Sequence, residues 1–138
     1  MKKSDNGDHV VPLADQAIRA LEDLKVVNGK REYLFVQVSN PRKPMSDGTM
    51  AGAILRIGYR GRMTVHGYRS VASSALNESG LFSPDAIERQ LHHVEKNQVR
   101  GAYNRAQYLD ERIKMMQWWA DRVDLLRSTA TQGLLKVV

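Results

Sequence analysis

The residues best suited to chemistry stand in the stretch "MTVHGYRSVASSALNESG", residues 63–80. Thr64 is a helix N-cap type, and the helical pattern that follows it carries His66 and Arg69 three positions apart. Residues i and i+3 share one face of a helix. Here that face belongs to the first turn, where backbone N–H groups and the helix dipole favour an anion. The planar guanidinium of Arg69 suits phosphate oxygens, and the imidazole of His66 donates or moves a proton near neutral pH. The pair describes a phosphate site. An isolated His-x-x-Arg is also common on a solvated helix, so the pair alone does not decide.

A second group lies in "RQLHHVEKNQVRGAYNRAQYLDER", residues 89–112. His92 and His93 end one helical pattern, and Tyr103 follows between Arg100 and Arg105. Such a tyrosine is most often a core or interface residue. Histidines at a helix C-terminus are stabilised by the dipole when charged. The spacing of His66, His92, His93 and Glu95 does not favour a zinc site, so no metal is assigned.

The elements that must position these groups follow from the pattern. In "KKSDNGDHVVP" the Asn-Gly pair reads as a hairpin tip, with Val10 and Val11 on the return strand. Its partner strand would lie earlier than Lys2. Leu13, Ala17, Leu21 and Leu24 recur at helical spacing to about Lys25. "EYLFVQV" reads as a short strand and "SNPRKPMSDG" as a loop with Ser46 as an N-cap. A helix follows over "TMAGAILRIGY", closing near Gly61, and another over residues 65–79, closing at Gly80. Ser83-Pro84 starts a helix through "DAIERQLHH", and "QVRGAYNRAQY" reads as a further helix. The last helix runs from about Asp110 to Arg127, with Leu109, Ile113, Met116, Ala120 and Val123 as its apolar face. Trp118 and Trp119 are about 100° apart on it, so one ring is expected inside and the other half exposed.

Composition sets the outer bounds. The 138 residues suffice for one domain, and the formal net charge of +6 is compatible with a nucleic-acid partner. With no cysteine there are no disulfides and no thiolate chemistry. No apolar run reaches membrane-spanning length and no signal peptide is present, so a cytoplasmic protein is expected.

These motifs, in this order, resemble the C-terminal catalytic domain of the tyrosine recombinases, in the prophage and genomic-island integrase branch. "VVPL" after a lysine-bearing hairpin, "EYLFVQ", the His-x-x-Arg box, "QLHHVEKN" and the tyrosine all take part, from about Lys2 to Leu126. The resemblance implies an α+β, mainly α-helical fold with a short β-hairpin or sheet at the N-terminal side. It implies that Arg69 holds the scissile phosphate and that His66 assists with protons and phosphate contacts. His93, after "QL" and one further residue, matches the third-box histidine. Tyr103, ten residues later, matches the nucleophile, with Tyr108 as its competitor. The hairpin lysine, general acid for the leaving 5′ oxygen, matches Lys2, with Lys3 as the alternative. Arg62, Arg100 and Arg105 are the expected DNA contacts.

The implied function is site-specific DNA recombination and integration through a 3′-phosphotyrosyl intermediate, without cofactor or metal. Double-stranded DNA and other integrase protomers, four on DNA in the family, are the implied partners, in the nucleoid of a bacterium. The family's first catalytic arginine precedes the lysine hairpin, and no residue here is assigned to it. The expectation is therefore a partial catalytic domain over residues 1–127 and a tail, 128–138, that docks on a neighbouring protomer. The alternative is an inactive remnant that only binds DNA or other protomers.

Overall fold

The computed structural model describes residues 9–92 and 108–131. They are mostly helical, with a two-stranded antiparallel sheet, which is the expected α+β class. None of the described helices is long and apolar enough to cross a membrane. The chain divides into two compact units, one of residues Asp15–Ser74 and one whose described residues are 9–14, 75–92 and 108–131.

In the first unit, α1 spans Asp15–Asn28. Asp15 in its first turn and Lys25 in its last both complement the dipole. The helix begins after Leu13 and outlasts Lys25, because its end is set by hydrogen bonds rather than by apolar spacing. Gly29 N–H donates to the Lys25 carbonyl at 2.7 Å, and the Asn28 side-chain amide donates to the Leu34 carbonyl at 3.0 Å. A Cβ on Gly29 would stand 2.4 Å from that same Lys25 oxygen, so the closure requires glycine.

The sheet pairs β1, Val36–Gln37, with β2, Asn40–Pro44. This corrects the sequence reading twice. The strand in "EYLFVQV" is only two residues long, and part of the expected loop "SNPRKPMSDG" is itself a strand. Val36 faces Pro44 and Gln37 faces Asn40, with an irregularity between them, and Met45 N–H extends the pairing to the Phe35 carbonyl at 3.0 Å. A two-stranded ribbon leaves each strand one solvent edge, where the missing N–H groups of Pro41 and Pro44 cost little.

Helix α2 spans Gly48–Arg56, shorter than expected, and buries Ile54. Its N-cap is Asp47, not Ser46, although Ser46 stays close: its hydroxyl lies 3.1 Å from that of Thr49. Helix α3 spans Val65–Ser79, as the pattern predicts, and its last five residues pass into the second unit.

Gly80 ends α3 with φ +64° and a hydrogen bond from its N–H to the Asn77 carbonyl. Helix α4 then spans Pro84–Gln90. The Ser83 cap is as predicted, its hydroxyl accepting from Ala86 N–H at 3.3 Å. The last described helix, α5, spans Leu109–Thr131, four residues beyond Arg127. Leu76, Ile87, Leu91 and Met115 form the core of this unit, with Phe82, Trp118 and Trp119 packed against it.

The inward face of α5 differs from the expected one. Arg112 and Met115 have no exposed surface, whereas Leu109, Ile113 and Val123 are 39%, 49% and 44% exposed. Met115 fills the core, and Arg112 finds acceptors for its guanidinium. Both tryptophans are half-buried on the rim of the same cluster, where Phe82 and Trp118 meet edge to face at 5.8 Å.

Val10 and Val11 form no strand among the described residues. The Val10 carbonyl instead accepts from the Arg112 guanidinium.

Candidate phosphate-binding site

Between α2 and α3 the backbone is folded into a tight, fully described connection. Ile57 N–H returns to Ala53, Gly58 N–H to Leu55, and Tyr59 N–H to the Ile54 carbonyl, each at 3.1 Å. Arg62 and Met63 N–H both reach the Tyr59 carbonyl, at 3.0 and 3.1 Å. Gly58 at φ +84° and Gly61 at φ +70° make the reversals. The connection presents Arg60 and Arg62 to solvent. The Arg62 guanidinium lies over the Tyr59 ring, 5.6 Å from its centre, an attraction between cation and ring face that limits its wandering.

Thr64 then caps α3: its hydroxyl accepts from Gly67 N–H at 2.9 Å. A Cβ on Gly67 would stand 2.8 Å from the Met63 sulfur and 3.3 Å from the Thr64 hydroxyl, so glycine lets both close over the first turn. His66 is exposed and Arg69 half-buried, one helical step apart on this turn. Among the described residues neither side chain has a hydrogen-bond or ion-pair partner.

The electrostatics of the stretch are one-signed. From Gly48 to Asn77 there is no aspartate or glutamate, while Arg56, Arg60, Arg62, His66 and Arg69 occur within it. Arg56 and Arg60 were not singled out from sequence. The signal was available as the acid-free run itself. A helix N-terminus, a histidine, a guanidinium and a fixed basic connection form an arrangement that can hold a phosphodiester and donate to oxygens as charge develops on them. A separate shallow cavity of about 420 Å³, lined by Lys30, Arg31, Glu32, Pro41 and Arg42, includes none of these residues.

The second unit carries the turn that precedes His93, the histidine that the resemblance assigns to the third box. Helix α4 stops at Gln90, Leu91 is its C-cap, and His92 adopts φ +50°, a left-handed turn just before position 93. The His9 ring lies against His92, with ring centres 4.4 Å apart and planes inclined by 51°. Burial lowers the His9 pKa below the usual histidine value, and the charges of His92, Arg112 and Arg89 lower it further, against a backbone hydrogen bond with Gln90. The buried Arg112 donates through Nε to the Gln90 side-chain oxygen at 2.8 Å and through an η nitrogen to the Val10 carbonyl.

Tyr108 is engaged within this unit. Its hydroxyl donates to the Asp85 carboxylate at 3.5 Å, its φ is +47°, and its carbonyl accepts from Arg112 N–H at 2.8 Å. Lys2, Lys3, His93, Arg100, Tyr103 and Arg105, together with the helix expected over "QVRGAYNRAQY" and the tail from residue 132, lie outside the described residues. Of the expected site, the structure therefore describes Arg62, in the connection before α3, and His66 and Arg69, on α3.

Comparison with known proteins matches the model of the phage integrase family over residues 1–109. The chain is 52% identical over 118 residues to prophage integrase IntA of Escherichia coli (strain K12), covering 86% of this chain and 28% of that protein. It is 48% identical over 124 residues to the integrase of Enterobacteria phage P4, covering 88% and 28%. It is 43% identical over 117 residues to the integrase of Shigella phage Sf6, covering 84% and 30%. The chain thus spans less than a third of the length of these relatives. No solved structure gives a significant match. The family match spans the helix that bears His66 and Arg69 as well as the segment bearing Tyr103, and on this ground the chain belongs to the phage integrase family of tyrosine recombinases.

Proposed function

We propose that the chain supplies the phosphate-holding and strand-cleaving part of a site-specific DNA recombinase, acting on double-stranded DNA within a longer integrase. The observation that carries this reading is the Thr64-capped first turn of α3, which holds His66 and Arg69 beside a fixed basic connection. In the proposed reaction the Tyr103 phenolic oxygen attacks the phosphorus as its proton passes to solvent water. The bond from phosphorus to the 5′ oxygen breaks, and that oxygen leaves with the electron pair and takes a proton from Lys2, or from Lys3 in its place. The product is a 3′-phosphotyrosyl ester. Arg69, His66 and His93 stabilise the charge on the non-bridging oxygens, and Arg62, Arg100 and Arg105 hold flanking phosphates. Attack by a 5′ hydroxyl from another strand reverses the step and restores Tyr103. Such a protein works where bacterial DNA lies, in the cytoplasm.

The test is phosphotyrosyl trapping on a nicked suicide substrate, with the chain joined to the N-terminal part that its relatives carry. Tyr108→Phe is expected to keep the covalent adduct and Tyr103→Phe to lose it. An adduct that survives Tyr103→Phe but not Tyr108→Phe overturns the assignment. The engagement of the Tyr108 hydroxyl with Asp85 supports this order of the two tyrosines.

The tail, residues 128–138, is proposed to dock on a neighbouring protomer. The exposed Leu125 and Leu126 near the end of α5 support an apolar continuation there. Sedimentation of the chain with and without these residues is expected to differ; a monomer of equal stability in both cases removes the docking role.

A further inference from the structure

His9 and His92 are 83 positions apart, yet their rings touch at 4.4 Å between centres. His92 sits in the left-handed turn that ends α4, and His9 stands immediately before the segment whose Val10 carbonyl is held by Arg112. The Nδ1 atom of His9 is buried and has no hydrogen-bond partner. Among the described residues, the groups facing the His9 ring are all neutral or cationic: Arg89 and the Gln90 backbone from α4, His92 just after it, and Arg112 from α5. None of these can accept a proton from Nδ1 as a carboxylate would.

We propose that His9 is the sensor of an acid-released clasp, which fastens residues 9–10 to the end of α4 while the imidazole is neutral and lets go when it is protonated. A neutral ring leaves Nδ1 as a bare acceptor, which costs less in a buried position than a charge does. Protonation puts a second N–H, at the unpartnered Nδ1, on a cationic ring beside two guanidiniums, with no carboxylate among the described residues to balance the charge. The neighbour His92 gives no relief, because its own protonation adds another like charge at contact distance.

The sign follows from the same facts. Burial and the neighbouring cations hold the folded-state pKa of His9 below the usual value. The neutral form is therefore the one that folding favours, and the clasp contributes fully above about pH 6.5. Its contribution is lost as the pH falls from there towards the folded-state pKa.

The clasp joins His9, six positions after Lys3 in the sequence, to the turn that precedes His93. A consequence for strand cleavage rests on the function proposed above; the clasp itself does not, and it is read without DNA.

The experiment is a histidine-selective NMR titration of the 138-residue chain from pH 8 to 5. The His9 ring is expected to titrate below the usual histidine value, and the backbone amides of Val10 and Leu91 to shift in the same step. His9→Gln, neutral at all pH, is expected to keep the fold and lose that step. His92→Ala is expected to move the His9 titration up towards the usual value. A His9 titration at or above that value in the wild-type chain overturns the proposal, and needs no variant. An unchanged Val10 and Leu91 step in His9→Gln, or an unchanged His9 titration in His92→Ala, also overturns it.

Discussion

Arg112 has no exposed surface, and its Nε donates to the side-chain oxygen of Gln90 at 2.8 Å, tying α5 to the last residue of α4. An η nitrogen of the same guanidinium holds the Val10 carbonyl. One charged side chain thus joins three segments of its unit. Arg112→Ala removes the donor from both part-buried acceptors and leaves a cavity where the buried side chain stood, and is expected to destabilise by about 2–4 kcal/mol. Arg112→Met restores the volume without the donors and should lose less. Urea denaturation measures both, and a loss under about 1 kcal/mol in Arg112→Ala would remove this tie as a determinant of stability.

Glu111 clamps the start of α4. Its carboxylate accepts from Ser83 N–H at 2.6 Å and from the Ser83 hydroxyl at 3.0 Å, while that hydroxyl accepts from Ala86 N–H. Ser83→Ala and Glu111→Ala are each expected to cost about 1–2 kcal/mol. A double-mutant cycle should give a coupling of about 1 kcal/mol. Additive losses would mean that the helix start and α5 are stabilised independently.

At Gly80 a left-handed φ of +64° carries the chain out of α3. Gly80→Ala is expected to cost about 1–2 kcal/mol, and Gly80→Asn less, since asparagine tolerates this conformation better. Equal stability of the alanine variant in thermal unfolding would show that the turn relaxes to another conformation at no cost.

Arg69 is expected to act mainly on the transition state. In the longer integrase, Arg69→Ala should reduce adduct formation on a suicide substrate by about a hundred- to thousandfold, with a much smaller change in DNA affinity. A loss confined to affinity would place Arg69 among the simple phosphate contacts.

Arg62, held over Tyr59, is expected to neutralise one backbone phosphate. Arg62→Ala should weaken DNA binding for all sequences alike and lower the slope of log affinity against log salt by about 1. An unchanged slope would take Arg62 out of the interface.

The positions that were legible in the sequence are those decided within a few residues. Thr64 caps α3 through Gly67 N–H, Ser83 caps α4 through Ala86 N–H, and Gly80 closes α3. Each satisfies local backbone groups with a local side chain or a local φ, so the type and spacing suffice. The same holds for His66 and Arg69, whose common face follows from helical geometry alone. The acid-free run around them was equally open to view.

Other features were decided only when distant segments met. β2 forms against two prolines because β1 offers a partner and the ribbon leaves its outer edges in water. The inward face of α5 is set by acceptors on α4 and at Val10, the latter 102 positions from Arg112. Apolar spacing favoured Leu109, Ile113 and Val123 instead, because a charged residue is assigned to solvent unless its partners are known. The meeting of His9 with His92 is of the same kind. Sequence determined the start and end of α3 and the start of α4, since those hydrogen bonds close within one turn. Tertiary structure decided which faces are buried and which ionisable groups meet, since that depends on desolvation and on partners supplied from elsewhere in the chain.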